Sequence, residues 1–222
     1  MSTLDRNKRN ILAIASLLLL TPVVYWTLNQ IGFVPPVNYF FPEANKQNAS
    51  NPIPVQSTLL NYEQPINELI SPQIDRSLSK ILVDKSNYQL TLYYDSRPIK
   101  SYPIVLGQSP QGDKRREGDL KTPEGIFKIR DLYPHPAWSK FIWLDYPNQE
   151  SWRKHLQAKQ DGKISLNSTV GSEIGIHGVP KNGDYLVDER SNWTWGCISL
   201  KNQDVDEIYR MVQVGTTIKI IP

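Results

Sequence analysis

Cys197 is the single cysteine of the chain, set in Trp193-Thr194-Trp195-Gly196-Cys197-Ile198-Ser199-Leu200, and a His-Gly pair, His177-Gly178, lies upstream of it. One thiol cannot close an intrachain disulfide, so a framework of bridges is excluded. A lone cysteine is often just a small buried hydrophobe. Three features argue for chemistry instead. Gly196 removes a side chain beside the sulfur, so a substrate carbonyl could approach the backbone amides there. His177 falls in Ile176-His177-Gly178-Val179-Pro180, which reads as a turn, an unusual place for a core histidine. A nucleophilic thiol also needs a neighbouring base, because free cysteine is mostly protonated at neutral pH. The pattern predicts a Cys/His nucleophile pair whose thiol pKa is lowered, and leaves an inert, buried cysteine as the alternative.

The elements that must position this pair follow from periodicity. From residue 80 onward, short β-branched and aromatic runs over 80–84, 88–94 and 99–106 alternate with Ser-Asn and Asp-Ser turns, as in a meander. Further strands are predicted over 126–130, 141–145 and 216–221, with Cys197 on a loop-to-strand passage over 196–200. Residues 150–160 have helical character. Val205, Ile208, Tyr209 and Val212 fall at i, i+3, i+4 and i+7, which predicts an amphipathic helix over 204–212, broken near Gly215. The expected domain, residues 80–222, is mainly β with a few helices, a sandwich or barrel. A chain of 222 residues, 39% hydrophobic, can support one such domain plus appendages.

The appendage lies at the N-terminus. Residues 1–10 form a basic arm, with Arg6, Lys8 and Arg9 against Asp5, and residues 11–28 carry no charge. As a helix those residues would span about 27 Å, one hydrocarbon core, with Tyr25 and Trp26 suited to the interface. A cleaved signal would want a small-x-small site, which Thr21-Pro22-Val23-Val24-Tyr25-Trp26 does not offer. The expectation is an uncleaved transmembrane anchor with its basic flank in the cytoplasm and the domain on the periplasmic or extracellular side; a cleaved signal and a buried core helix are the competing readings. Residues 29–79 hold Pro35, Pro36, Pro42, Pro52, Pro54, Pro65 and Pro72 among Asn, Gln and Ser, the composition of an extended linker with a short helical piece near 65–70. A loop packed on the domain is the other reading.

Residues 174–200 resemble the active-site signature of the L,D-transpeptidase catalytic domain family (the YkuD type). That signature has a His-Gly pair, a spacer and Ser/Thr-x-Gly-Cys, here His177-Gly178 and Thr194-Trp195-Gly196-Cys197. Ile81-Leu82-Val83-Asp84-Lys85-Ser86 resembles the family's opening strand. The stretch from Leu106-Gly107 through Glu117-Gly118-Asp119 to Thr122-Pro123-Glu124-Gly125, with Tyr146-Pro147-Asn148, is similar to the YafK-like branch. The match runs from about residue 80 to the C-terminus. Family members typically carry an arginine two residues after the cysteine; this chain has Ser199, and the YafK-like branch also lacks the arginine.

The resemblance implies an L,D-transpeptidase-type β-sandwich or barrel and a cysteine-dependent acyl transfer on peptidoglycan stem peptides. It casts Cys197 as nucleophile, His177 as general base and acid, Gly178 as the carbonyl orienting the imidazole, and the Gly196 and Cys197 amides as oxyanion hole. An amine acceptor then yields a cross-link; water yields L,D-carboxypeptidase or endopeptidase activity, including release of wall-attached protein. A non-catalytic wall-binding module is the reading from another class. Thr194, Trp195, Ser199, Arg115 and Arg116 are candidate substrate contacts, and Asp184 or Asp188 are alternative orienting acids. Trp193 suits groove or core equally.

Other constellations are weak. Glu173 could join His177 and Cys197 around zinc, but no metal-ligand spacing supports it, and neither metal nor cofactor is expected. A net charge of +3 is too small to suggest nucleic acid. Lys114-Arg115-Arg116 reads as a solvated loop or a clamp for a substrate carboxylate. His135 and His155 read as surface residues.

Overall fold

The computed structural model describes residues 59–70 and 73–222. The basic arm, the apolar span and most of the proline-rich stretch therefore lie outside the described residues. Those described hold a short helix α1 (Ile66–Leu69), a 3-10 turn (Arg76–Leu78), strands β1 (Ser79–Asp84), β2 (Gln89–Tyr94), β3 (Arg97–Pro103), β4 (Gly125–His135) and β5 (Ser139–Leu144), then helix α2 (Gln149–Gln160), β6 (Gly175–Gly178), helix α3 (Tyr185–Asp188), β7 (Ile198–Leu200), helix α4 (Asn202–Met211) and β8 (Thr217–Ile221).

The eight strands form one sheet in the order β3-β2-β1-β8-β4-β5-β6-β7. The β1–β8 and β6–β7 pairs are parallel; the others are antiparallel. Strand β4 joins the two halves, with Gly125 to Lys128 on β8 and the register shifting past Ile129 so that the remainder pairs with β5. Just beyond β3, Val105 exchanges two backbone hydrogen bonds of 2.9 Å with Ser199 of β7, so the ends of the sheet meet and the barrel nearly closes. Alternation at this seam sends Ile104 and Leu106 into the main core and Val105 to a second cluster with Val179, Leu186, Val187 and Trp193. The main core is built from Leu90, Leu92, Ile129, Ile142, Leu144, Ile176, Ile198 and Leu200, each essentially inaccessible. Burying each contributes about 1.5–3 kcal/mol against leaving it in water.

The expected meander, closing strand and two longer helices are present. Strand β6 is not where the sequence pointed. Residues 175–178 form a fully buried strand rather than a turn. Its two glycines are poor strand formers, but here they admit neighbours that a Cβ would exclude. A Cβ on Gly175 would meet the Phe141 ring at 2.5 Å, and one on Gly178 would meet the Trp138 carbonyl at 2.6 Å.

The segment expected as linker becomes part of the domain from residue 59. Ser101 N donates to Leu60 O, Asn61 Nδ2 to Ile99 O and Lys100 Nζ to Gln64 O, while Ile66 enters the core. Two acids of α4 clamp this strap. Tyr62 Oη donates to Asp204 Oδ2 at 3.0 Å; Glu207 accepts from Tyr102 Oη and the Ile66 amide and pairs with Lys100 at 2.7 Å. Burial pushes the Asp204 carboxyl up to about 7, with Tyr62 and Lys201 opposing. Because the folded value lies above the ordinary one, the native state holds the extra proton between about pH 4 and 7, and this group's contribution to stability falls as pH rises through that window. Asp204→Asn keeps an acceptor for Tyr62 without the charge. It should raise the melting temperature at pH 8 by on the order of 5 °C and leave it little changed at pH 4; calorimetry at the two pH values checks this.

Candidate active site

Parallel pairing of β6 with β7 sets Ile176 against Ile198, His177 against Ser199 and Gly178 against Leu200. Cys197 immediately precedes β7, so side-chain alternation carries its thiol to the face that His177 and Ser199 share. The tight turn before it depends on Gly196, whose φ of +135° is hostile to a side chain and whose Cβ would fall 2.6 Å from the Lys121 carbonyl. Thr194 closes the same turn: its Oγ1 donates to Cys197 O at 2.7 Å and accepts from the Gly196 amide at 3.2 Å. Thr194 is buried, so it braces the cysteine loop and offers no surface to a substrate. The Gly196 amide, spent on Thr194, is likewise not presented as a free donor.

His177 is 2% exposed and packed among aromatic rings. Trp138 stacks on it at 4.5 Å and Phe141, its cross-strand partner, at 5.8 Å, while Trp193 meets it edge-on at 5.5 Å. Its Nδ1 lies 2.7 Å from the Gly178 carbonyl. A carbonyl oxygen only accepts, so Nδ1 carries the proton and the lone pair of the neutral ring sits on Nε2. Ser199 Oγ donates to the same carbonyl at 3.2 Å. Ser199, expected as a substrate contact, is fully buried beneath that carbonyl and touches the orienting group instead. Neither alternative acid takes the orienting place: Asp188 pairs with Lys201 at 2.6 Å, and the Nδ1 partner is the Gly178 carbonyl.

The electrostatics differ from the expected activated thiol. Cys197 keeps some exposure, yet burial of its surroundings pushes the thiol up to about 11, with a Gly175 backbone hydrogen bond and Lys114 pulling down and Glu173 pushing up. Burial pushes His177 down to about 4, against the hydrogen bond to Gly178. At neutral pH the resting pair is thus thiol and neutral imidazole, not thiolate and imidazolium. The sulfur donates to the Glu173 carbonyl at 3.5 Å.

Of the basic run, Lys114 is the member whose charge acts on the thiol. It is buried against Asp119 at 2.9 Å. Asp119 also accepts from the amides of Arg115, Arg116 and Lys121, and these donors with Lys114 outweigh burial and hold its carboxyl below the usual range. Arg115 leans on Asp113 at 3.4 Å and Arg116 bonds the Glu117 carbonyl, both with exposed heads. Trp195 is half-buried beside the turn. His155, expected at the surface, is buried with Nδ1 on the Arg115 carbonyl at 2.6 Å, and His135 stacks on Trp138 at 4.3 Å. Trp138 and Phe141 were not singled out as site residues from sequence, because nothing but the fold brings them to the imidazole; Lys114 entered only within a basic run and Glu173 only as a candidate zinc ligand.

A family model, the YkuD L,D-transpeptidase catalytic domain, matches residues 79–220. The chain belongs to the L,D-transpeptidase catalytic domain family. YafK of Escherichia coli (strain K12) is 27% identical over 154 residues, covering 67% of this chain and 52% of that protein. YkuD of Bacillus licheniformis is 27% identical over 144 residues, covering 64% of this chain and 66% of its own length. Both are named as L,D-transpeptidases. The chain thus spans about half the length of the YafK relative it matches. Among solved structures, the helical cell shape determining protein Pgp2 of Campylobacter jejuni is 26% identical with a TM-score of 0.48, covering 64% of this chain and 47% of that one.

Two outcomes follow for an L,D-transpeptidase domain built this way. Alkylation of Cys197 by iodoacetamide should climb steadily from pH 7 to beyond pH 9 without levelling, because the thiol sits at about 11; a plateau below pH 8 would show an ion pair instead. Ser199→Ala should cost about 1 kcal/mol of stability for the lost buried hydrogen bond, and less than about tenfold in kcat, since Gly178 still holds His177. Denaturant titration and turnover of the same preparation measure both.

Proposed function

We propose that this chain is a cysteine acyl-transfer enzyme of peptidoglycan stem peptides, with Cys197 as nucleophile and His177 as its base. The observation that carries this reading is the juxtaposition on β6 and β7: thiol and imidazole share one face, and the Gly178 carbonyl leaves His177 only Nε2 to work with. Family membership supports the substrate class.

The neutral resting pair sets the order of events. As the sulfur attacks the stem-peptide carbonyl, Nε2 takes the thiol proton, so the buried site never holds an isolated thiolate. The C–S bond forms, and the carbonyl oxygen takes up negative charge facing the Cys197 amide. Gly196 contributes clearance to this hole rather than a donor. Collapse breaks the C–N bond; the proton on His177 passes to the departing amine, leaving a thioester. An incoming amine or water then attacks the thioester, gives a proton through His177 to the leaving sulfur, and restores the thiol. A low imidazole pKa makes His177⁺ a strong acid toward the departing nitrogen, which suits expulsion of an amine. Arg115 and Arg116, with exposed heads on the loop that also bears Lys114, are the side chains suited to a stem-peptide carboxylate. In the cell, the uncharged stretch 11–28 would anchor the domain at the cytoplasmic membrane with the site on its outer face.

The test is incubation of the full-length chain with purified disaccharide tetrapeptides, followed by mass spectrometry. Dimers identify transpeptidation; stems shortened by the terminal residue identify hydrolysis. Neither product with Cys197 reduced would overturn the proposal and favour a wall-binding module. His177→Gln should lower kcat/KM by about 10²–10⁴-fold, the range for a lost general base.

A further inference from the structure

We propose that Glu173 is a specificity-determining residue that docks the ammonium-bearing end of a substrate beside the sulfur. Resting on the acyl-transfer reading above, this end is the free amine of an amino acid or peptide arriving to accept the acyl group.

The argument begins with position. Glu173 is held by its own backbone against the nucleophile, its carbonyl accepting from Cys197 Sγ at 3.5 Å. It adopts φ +59° in the stretch that leads into β6. Its side chain is exposed, and its carboxylate makes no hydrogen bond or ion pair with another described residue. The neighbouring acids are committed: Asp119 to Lys114, Asp113 to Lys154 and Asp188 to Lys201. Glu173 alone among these faces the nucleophile without a cation.

Its charge is felt in two places. It adds to burial in pushing up the Cys197 thiol, and with Asp131 it adds to burial in pushing up the half-exposed phenol of Tyr133 on β4. Lys114 acts on the same sulfur with the opposite sign. The mouth is thus polarised, basic toward the loop of Lys114–Arg116 and acidic toward Glu173, with the thiol between. A cation on Glu173 therefore lies within reach of the thioester. Once there, the ammonium loses a proton to solvent, the amine nitrogen attacks the thioester carbonyl, the C–N bond forms and the C–S bond breaks. The remaining excess proton on nitrogen passes through His177 to the sulfur. Before acylation, burial is the main cause that holds the thiol protonated, and the same cation cancels the charge that adds to it, so a bound amine makes the sulfur easier to ionise.

The experiment follows iodoacetamide alkylation of the full-length chain at pH about 7, where an α-ammonium is largely charged, and constant ionic strength, with glycinamide as the cationic probe and N-acetylglycinamide as its neutral counterpart. Glycinamide should accelerate alkylation of the wild type severalfold and the neutral probe should not. Glu173→Gln should alkylate severalfold faster without any probe and no longer respond; Glu173→Asp should keep the response. On stem peptides, Glu173→Gln should lower the ratio of amine-acceptor to water-acceptor product by about tenfold, the worth of one lost charged contact. Equal basal rates and equal glycinamide responses in wild type and Glu173→Gln would overturn the proposal. A charge-dependent response with no turnover of stem peptides by the wild type would instead overturn the acyl-transfer reading and leave Glu173 as a cation site.

Discussion

The carbonyl of Gly178 is the point on which the site depends. It receives His177 Nδ1 from its own strand and Ser199 Oγ from β7, while the amide of the same residue donates to Trp138 O at 3.0 Å. One residue therefore fixes the imidazole tautomer, ties β6 to β7 and ties β6 to the β4–β5 hairpin. Such a junction works only if its residue has no side chain, since the Trp138 carbonyl and Asn202 occupy the space a Cβ would need. The barrel seam adds a further constraint, because Ser199 is also the residue whose backbone pairs with Val105. The orientation of the imidazole is thus inherited from sheet closure rather than from any flexible side-chain partner. A carboxylate in this role would bring a charge into a buried wall of Trp138, Phe141 and Trp193; a carbonyl supplies a dipole without that desolvation cost.

The same burial governs the electrostatics. The aromatic rings packed around His177 remove the water that would stabilise imidazolium, and the enclosure of the cysteine turn removes what would stabilise thiolate. Neither charged form is favoured at rest. The thiol is also protected from casual alkylation or oxidation, which matters for a lone cysteine with no disulfide partner.

Much of this was legible in the chain. Hydrophobic alternation marked the strands of the meander, and the i, i+3, i+4 pattern marked α4, because both elements bury one face against a core. The need for backbone clearance at Gly196, beside Cys197, and at Gly178, beside His177, was legible because glycine is otherwise costly at such places. Strand β6 was not: Gly-Ile-His-Gly has low strand propensity, and its stability comes from Phe141 and Trp138 filling the space the glycines vacate, a tertiary fact. The places of Thr194 and Ser199 were missed because a hydroxyl reads alike whether it faces substrate or a buried carbonyl. The strap over 59–70 was missed for a related reason. The proline-rich stretch that leads into it suggests a tether, while its partners, Lys100, Asp204 and Glu207, lie 36 to 142 residues away in sequence.

Position 199 shows how these constraints combine. In a typical relative of the resemblance drawn above, an arginine stands two residues after the nucleophile. Here that position is a β7 residue with no exposed surface, whose side chain lies under the Gly178 carbonyl and whose backbone closes the barrel. A guanidinium could not occupy the volume of this hydroxyl without displacing the carbonyl that holds His177, and buried there its five donors would need acceptors the site does not supply. The loss of that cation is therefore coupled to the way the base is held. Any positive charge acting on the thiol must come from another element, and in this chain it comes from Lys114, buried on the loop that Asp119 organises.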